Sequence, residues 1–485
     1  MSSNLMNFLP IVLLAFGALV SLACEPFLKN ENKHRVIPWI SAAFILFSAL
    51  SFFAAMDGLS YNVFAMDPFR RYLGWTILFC TFLGLGAVQT TLSREKFEGG
   101  EPYGLLLLAA CGALIMTQAV DFLSLFIGME LAAFPVYGLV GLRRKDRNGN
   151  EAAFKYFVTG AVFSAVYLYG MSLIYGATGS THMSSAVLEG RRFLYHAGLI
   201  LAVFGLLFKA GAAPVHFWVA DVYRGASVAV TAFMAAVVKV GALAALGSVM
   251  LGSLVTPAGV ASAWNLSEPV SVTLSSPLLG KILVVVAILS IVVGAFSGLA
   301  QKSVRRILAF SAVMNAGFIV LGLLLPAYLQ KGSVYLWPMV YFLITYAIAS
   351  AGALAGIAAF SGKNDEKETL KGLRGAGRKK ALPAFAVAVC LASLAGLPPA
   401  AGFLAKFNLF AGLFSAQMIA VAITGFTLSL VAAVYYLRIA YVLFAPPKEE
   451  APACCGCCCK SKRNSVMLSI GVALAALSLL ALILV

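Results

Sequence analysis

Apolar runs of about twenty residues recur fourteen times along the 485-residue chain. A helix needs roughly 20 mainly apolar residues to cross a bilayer, so this repetition predicts an all-α polytopic membrane protein. The runs begin near Leu5, Val36, Leu73, Gly104, Phe122, Ala152, Leu194, Ala226, Leu279, Val304, Val334, Leu382, Ala416 and Ser465. Composition agrees: 61% of residues are apolar and 11% charged, against roughly 45–50% and 25% in soluble chains. The first run has no basic residue before it and no small-residue cleavage site, which argues against a removed leader.

The net charge of +16 would suggest nucleic acid in a soluble protein, but its placement speaks for topology. With these spans, the odd-numbered loops hold about five times as many Lys and Arg residues as the even-numbered ones. Basic residues collect on the cytoplasmic side. The odd loops are therefore expected in the cytoplasm, both termini on the periplasmic side, and the chain in the cytoplasmic (inner) membrane. Arg143-Arg144-Lys145, Lys302/Arg305/Arg306 and Arg378-Lys379-Lys380 then read as topology signals flanking spans, and no nucleic-acid partner is expected. Cys24, Cys80, Cys111 and Cys390 read as small core residues. The run Cys454 to Cys459 lies in loop 13 and contains C-x-x-C spacings. Three readings of it stand open: a dispensable juxtamembrane tail, a lipidated anchor, or a metal site lacking a second ligand pair.

Against this apolar background four ionisable residues lie deep inside spans: Glu130, Lys209, Lys239 and Lys406. Each has about eight or more neutral residues on either side, too far for easy snorkelling. An embedded charge costs at least about 2–3 kcal/mol and is a functional candidate by default. Burial favours the neutral form of both Glu and Lys, and a nearby opposite charge reverses that. A Glu–Lys pair whose separation changes is thus a proton switch, with further lysines as places for the proton to go. The alternative is a static ion pair that fixes helix packing. One Glu against three Lys leaves two lysines unpaired, which favours the relay.

Helix breakers sit beside two of the lysines. Pro214 follows Lys209 by five residues, and Pro398-Pro399 precedes Lys406. Proline removes a helix hydrogen bond, and broken helices at membrane depth occur where they line a polar cavity. Helices 7 and 12 are therefore expected to be discontinuous. His216, just after the first break, reads equally well as a cavity-lining relay group or a satisfied helix-end residue. Asp121 is placed at a headgroup edge, Lys155 at a snorkelling position, and Lys281 and Arg438 as anchors. No Walker loop, HExxH or nucleophile elbow is present, so no cofactor or metal is assigned to this chain.

The stretches SLFIGMELAAFPVYGLVGL, FKAGAAPVHFWVADVYRGASVAVTAFMAAVVKVGAL, VRRILAFSAVMNAGF, YFLITYAIASAGAL, SLAGLPPAAGFLAKF and VYYLRI resemble the antiporter-like subunits of respiratory complex I. With the AFKYF and LIYGATGS segments, they are most similar to the subunit N group. The resemblance runs from about residue 104 to 444. It implies about 14 transmembrane helices with two inverted five-helix repeats. Helices 1–3 would occupy residues 1–103, the repeats 104–252 and 279–444, and a Cys-rich loop with helix 14 residues 445–485. Glu130 and Lys209 would be the family's Glu–Lys pair, Lys239 its central lysine and Lys406 its terminal lysine. The implied function is proton translocation coupled to quinone reduction by an NADH:quinone oxidoreductase. NADH, FMN, Fe-S clusters and quinone would be held by other subunits, and the partners would be other membrane-arm subunits and lipid. A multi-subunit Na⁺/H⁺ antiporter, a membrane-bound hydrogenase complex and a structural scaffold are the alternatives. The chain departs from the family at Asn315, where a His is usual, so a relay there would need water or a neighbouring side chain. It also lacks two usual prolines, having Ala220 and Ser227 instead.

Overall fold

A computed structural model describes residues 2–61, 63–254, 277–328, 337–446 and 466–482. The Cys454–Cys459 run and the expected span starts at Val334 and Ser465 lie outside the described residues.

The described chain is almost entirely helical: α1 (Ser2–Cys24), α2 (Asn30–Ala54), α3 (Pro68–Glu95), α4 (Glu101–Gln118), α5 (Phe122–Val140), α6 (Arg147–Thr178), α7 (Arg192–Ala210), α8 (Val219–Gly225), α9 (Val228–Phe233), α10 (Lys239–Leu254), α11 (Pro277–Leu299), α12 (Val304–Tyr328), α13 (Trp337–Ala358), α14 (Ala381–Ala395), α15 (Ala401–Ser415), α16 (Ile419–Phe444) and α17 (Val466–Ala481). A π-helical turn, Met234–Val238, joins α9 to α10 in one rod. Among the described residues, twelve helices are long and apolar enough to cross a membrane, and α14, α15 and α17 are shorter apolar helices. The helices α2, α3 and α6 begin five or six residues before the apolar runs, because polar and basic residues extend each by a turn or more. A small hairpin, β1 (Gly58–Ser60) with β2 (Phe64–Met66), sits between α2 and α3 and has no counterpart in the sequence reading.

Local chemistry sets the helix ends. The side chains of Asp67, Asp121, Asp146 and Ser227 cap α3, α5, α6 and α9 by accepting backbone N–H bonds. Asp121 is therefore a buried cap, accepting from Leu123 and Ser124 at 2.9 and 3.0 Å, and not a residue turned to the headgroups. Gly211 and Gly396 end α7 and α14 at φ +70° and +79°, left-handed values that glycine takes without a Cβ penalty. In both cases a proline follows three residues later, in Gly211-Ala212-Ala213-Pro214 and Gly396-Leu397-Pro398-Pro399. Both expected discontinuities are thus present and share one construction.

The most buried elements lie at the centre. The Val228–Met250 rod and α13 are buried along their whole span, and α12 nearly so. The helices α1, α2, α6, α11 and α16 keep much of their surface outside. The central rod and α13 bring Lys239 and Tyr346 into the interior, and α12 adds Asn315.

Candidate functional site: a buried row of lysines

Lys209 stands in the last turn of α7, where the helix C-terminus favours a cation. Its Nζ lies 3.5 Å from Glu130 Oε1 of α5 and donates to the Tyr137 hydroxyl at 3.3 Å. Ser164 of α6 donates to the same Glu130 oxygen at 2.5 Å. Three helices therefore build the expected Glu–Lys pair, with Lys209 buried and Glu130 at the edge of the packing.

Lys239 opens α10 immediately after the π-turn. Its Nζ is buried without a hydrogen-bond partner among the described residues. It faces Gly211 at the end of α7 and stands 6.0 Å from the centre of the Tyr223 ring. A side chain at Gly211 would meet that Nζ at 3.2 Å. His216 lies in the segment between α7 and α8, half-buried, with Nδ1 unpaired among the described residues and within electrostatic reach of Lys239.

Lys406 is placed differently. Its Nζ donates to Leu394 O, Ala395 O and Ser429 Oγ at 2.9, 3.0 and 2.9 Å. Three ammonium hydrogens meet three acceptors, two of them carbonyls at the end of α14. The break between α14 and α15 thus supplies two of the three acceptors of its own lysine. Beside Lys406 runs a narrow cavity lined by Asn315, Thr345, Tyr346 and Ser393. Its volume of about 10 Å³ is near the minimum for one water molecule. Asn315 is buried and donates to Ser311 O at 2.9 Å and to the Tyr436 hydroxyl at 3.3 Å, while Ser311 Oγ and Tyr436 Oη are 2.5 Å apart. Asn315 thus sits in a cluster with the Ser311 and Tyr436 hydroxyls.

The four embedded charges do not form one cluster; they lie along the interior in three surroundings: paired, unpaired and saturated. Sequence reasoning missed Tyr137, Ser164, Ser311 and Tyr436, since Ser and Tyr are ordinary in apolar spans. It also missed an ionic knot at the end of the molecule where the basic loops gather. There Asp365 accepts from Arg143 at 2.8 Å, Ser361 at 2.6 Å and the Val228 N–H at 3.0 Å, and lies 3.9 Å from Arg305. Arg143 also pairs with Glu95, and Arg305 with Glu368 at 3.3 Å. Burial alone would raise the Asp365 carboxyl. The Arg143 and Arg305 guanidiniums, with the Ser361 and Val228 hydrogen bonds, outweigh it and hold the group below its ordinary value. Arg143 and Arg305, expected only as topology signals, are thus members of a buried ion-pair network. Lys155 is half-exposed and pairs with Glu151 and Asp221 at 2.7 and 3.6 Å, while Lys281 and Arg438 are exposed. Among the described residues, no three His, Cys, Asp or Glu side chains come together as a metal site.

An antiporter-like membrane fold, with broken helices around buried lysines, defines the class. The NADH:quinone oxidoreductase/Mrp antiporter transmembrane family matches residues 119–255 and 243–432. NADH-quinone oxidoreductase subunit N of Trichlorobacter lovleyi is 32% identical over 92% of this chain and 89% of its own length. A chain of respiratory complex I from Thermus thermophilus superposes with a TM-score of 0.77 at 29% identity, covering 98% of this chain and 97% of that one. A chain of the Mrp complex from Dietzia sp. shares the fold, with a TM-score of 0.79 at 21% identity and coverage of 99% and 94%. The chain belongs to the NADH:quinone oxidoreductase/Mrp antiporter transmembrane family, and within it to the subunit N group of NADH-quinone oxidoreductases.

Proposed function

We propose that this chain translocates protons within a membrane complex that oxidises NADH and reduces quinone, using Glu130, Lys209, Lys239 and Lys406 as its relay. His216 and Asn315 line that path. The observation that carries the reading is the unpaired Nζ of Lys239, buried between a lysine with a carboxylate partner and a lysine with a full set of acceptors. A static scaffold has no use for an uncompensated buried amine, which is costly to keep. A relay needs one group free to take up and pass on a proton. The chemistry this chain performs is proton transfer; NADH, FMN, Fe-S clusters and quinone belong to other subunits, and the neighbours are other membrane-arm subunits and lipid.

In this reading the chain crosses the inner membrane 14 times, with α14 and α15 together making one crossing and both termini periplasmic. The repeats are residues 104–252 and 279–444, followed by the segment 445–485 and preceded by helices 1–3 over 1–103. The shared Gly-x-x-Pro construction of the two breaks supports pairing the crossing that holds α7 with the crossing made by α14 and α15.

The test is proton uptake by sealed membrane vesicles. Lys209→Ala and Glu130→Ala are expected to leave the complex largely assembled and to cut pumping and coupled quinone reduction. Wild-type pumping by both variants overturns the relay. A second reading, a subunit of a multi-subunit Na⁺/H⁺ antiporter, is supported by the family model shared with Mrp antiporters and by the fold of the Mrp complex chain. The subunits that co-purify with the chain separate the two.

A further inference from the structure

Around the Glu130–Lys209 pair, Lys239 and Lys406 the interior carries a series of buried tyrosines: Tyr137, Tyr156, Tyr223, Tyr346 and Tyr436. The Tyr137 and Tyr156 rings meet edge to face at 4.8 Å, beside Lys209 and within electrostatic reach of Glu130. Tyr223 lies within electrostatic reach of both Tyr346 and Tyr156, and its ring faces Lys239. Tyr346 in turn lies within reach of Tyr436, which is bonded to Asn315. The hydroxyls of Tyr156 and Tyr223 are buried without partners among the described residues. Buried hydroxyls normally find partners, so unpaired ones in series with an unpaired lysine amine mark a polar seam and not ordinary packing.

The series passes from the helices of the first half to those of the second at Tyr346. Its hydroxyl donates to Ala235 O at 3.1 Å, and Ala235 lies in the π-turn one turn before Lys239. A π-turn shifts the helix hydrogen-bond register, and such turns recur at functional sites. The same tyrosine lines the cavity of Lys406. Tyr346 thus touches the element that positions the central lysine and borders the space that holds the terminal one.

The geometry points to Tyr346 as the hydroxyl that carries protons between Lys239 and Lys406. This assignment rests on the proton-translocating reading above. In the step, the phenol oxygen accepts a proton from the Lys239 side as its own proton passes to the Lys406 amine. Lys239 ends as a neutral amine and Lys406 as an ammonium. The tyrosine is neutral before and after, and rotation of the hydroxyl back to Ala235 O resets it. While the hydroxyl is bonded to that carbonyl, its proton is committed to the backbone and the bridge is open.

The test uses the intact complex in sealed vesicles and reads protons pumped per quinone reduced, normalised to assembled complex. Tyr346→Phe keeps the ring and removes the hydroxyl; it is expected to lower that ratio at least about tenfold, as Tyr346→Leu does, in keeping with loss of a positioned proton-transfer group. Tyr346→His restores a group that exchanges protons, and is expected to recover part of the ratio with a pH dependence absent from wild type. A packing role would leave Tyr346→Phe near wild type and make Tyr346→His the worse variant, and either result overturns the assignment. Lys209→Ala measured in parallel separates the two levels. A defect there with normal Tyr346→Phe leaves the relay standing without this bridge; normal pumping in both removes the relay as well.

Discussion

Lys239 and Lys406 are both buried, yet removing them should have different consequences. Lys406 satisfies two carbonyls of the α14 end and the Ser429 hydroxyl. Truncating it strands those acceptors, and each buried group left unsatisfied costs about 1–3 kcal/mol. Lys239 satisfies no acceptor among the described residues. Lys406→Ala is therefore expected to lower the thermal unfolding temperature of the purified complex, while Lys239→Ala leaves it unchanged or raises it, although both lose pumping. Equal melting shifts would mean that the hydrogen bonds of Lys406 contribute nothing. At this scale the sequence is informative where a residue type contradicts its surroundings. A lysine amid apolar residues stands out whatever it bonds to, so all four charges are legible. Tyr346 and Ser164 are not, because a hydroxyl in an apolar span needs only one partner and that partner comes from a helix far away in sequence.

The two helix breaks place the lysines as much as the residues themselves do. In the second break, α15 approaches α14 so closely that a Cβ at Gly402 would lie 1.8 Å from Ser393 O, and the Gly402 N–H donates to Ser393 Oγ at 3.1 Å. Gly402→Ala must push the two half-helices apart, and Lys406 lies one turn further along α15. We expect this variant to lower pumping and the melting temperature together, by an amount comparable to an overpacked core, about 1–3 kcal/mol. Gly176→Ala is the control, since a Cβ there meets Leu194 at an ordinary 3.5 Å and should be tolerated. A tolerated Gly402→Ala would show that the break yields under strain. The breaks are legible because proline announces them, and the helix cores are legible because apolar runs set them. The π-turn before Lys239 has no such sign: Met234–Val238 reads as uninterrupted apolar helix, and only the packing of its neighbours selects a wider turn.

The halves of the molecule are joined at one end by charge. Asp365, in the connection between α13 and α14, receives Arg143 from the end of α5, the N–H of Val228 at the start of the rod that carries Lys239, and Arg305 from the first turn of α12. The clustering of basic residues in certain loops is legible from the sequence alone, but their contacts are not. One buried carboxylate collecting two guanidiniums from distant segments depends on the packed assembly, and in sequence Asp365 is one acid in a charged loop. Removing one partner of such a buried group costs about 3–5 kcal/mol, so Asp365→Asn is expected to destabilise the chain strongly at neutral pH. The sign of the pH dependence follows from the carboxyl being held below its ordinary value of 3.8 in the folded chain. A depressed carboxyl stabilises the fold above the unfolded value and loses that contribution as pH falls through the folded one. The gap in thermal stability between wild type and Asp365→Asn should therefore hold constant from neutral pH down to about the ordinary carboxylate range, then shrink as acid protonates the wild-type group. Unfolding temperatures of the two proteins measured across that range provide the check. A gap that widens on acidification would mean that the carboxylate is not the member the knot depends on, and that the arginines are held by Glu95 and Glu368 instead.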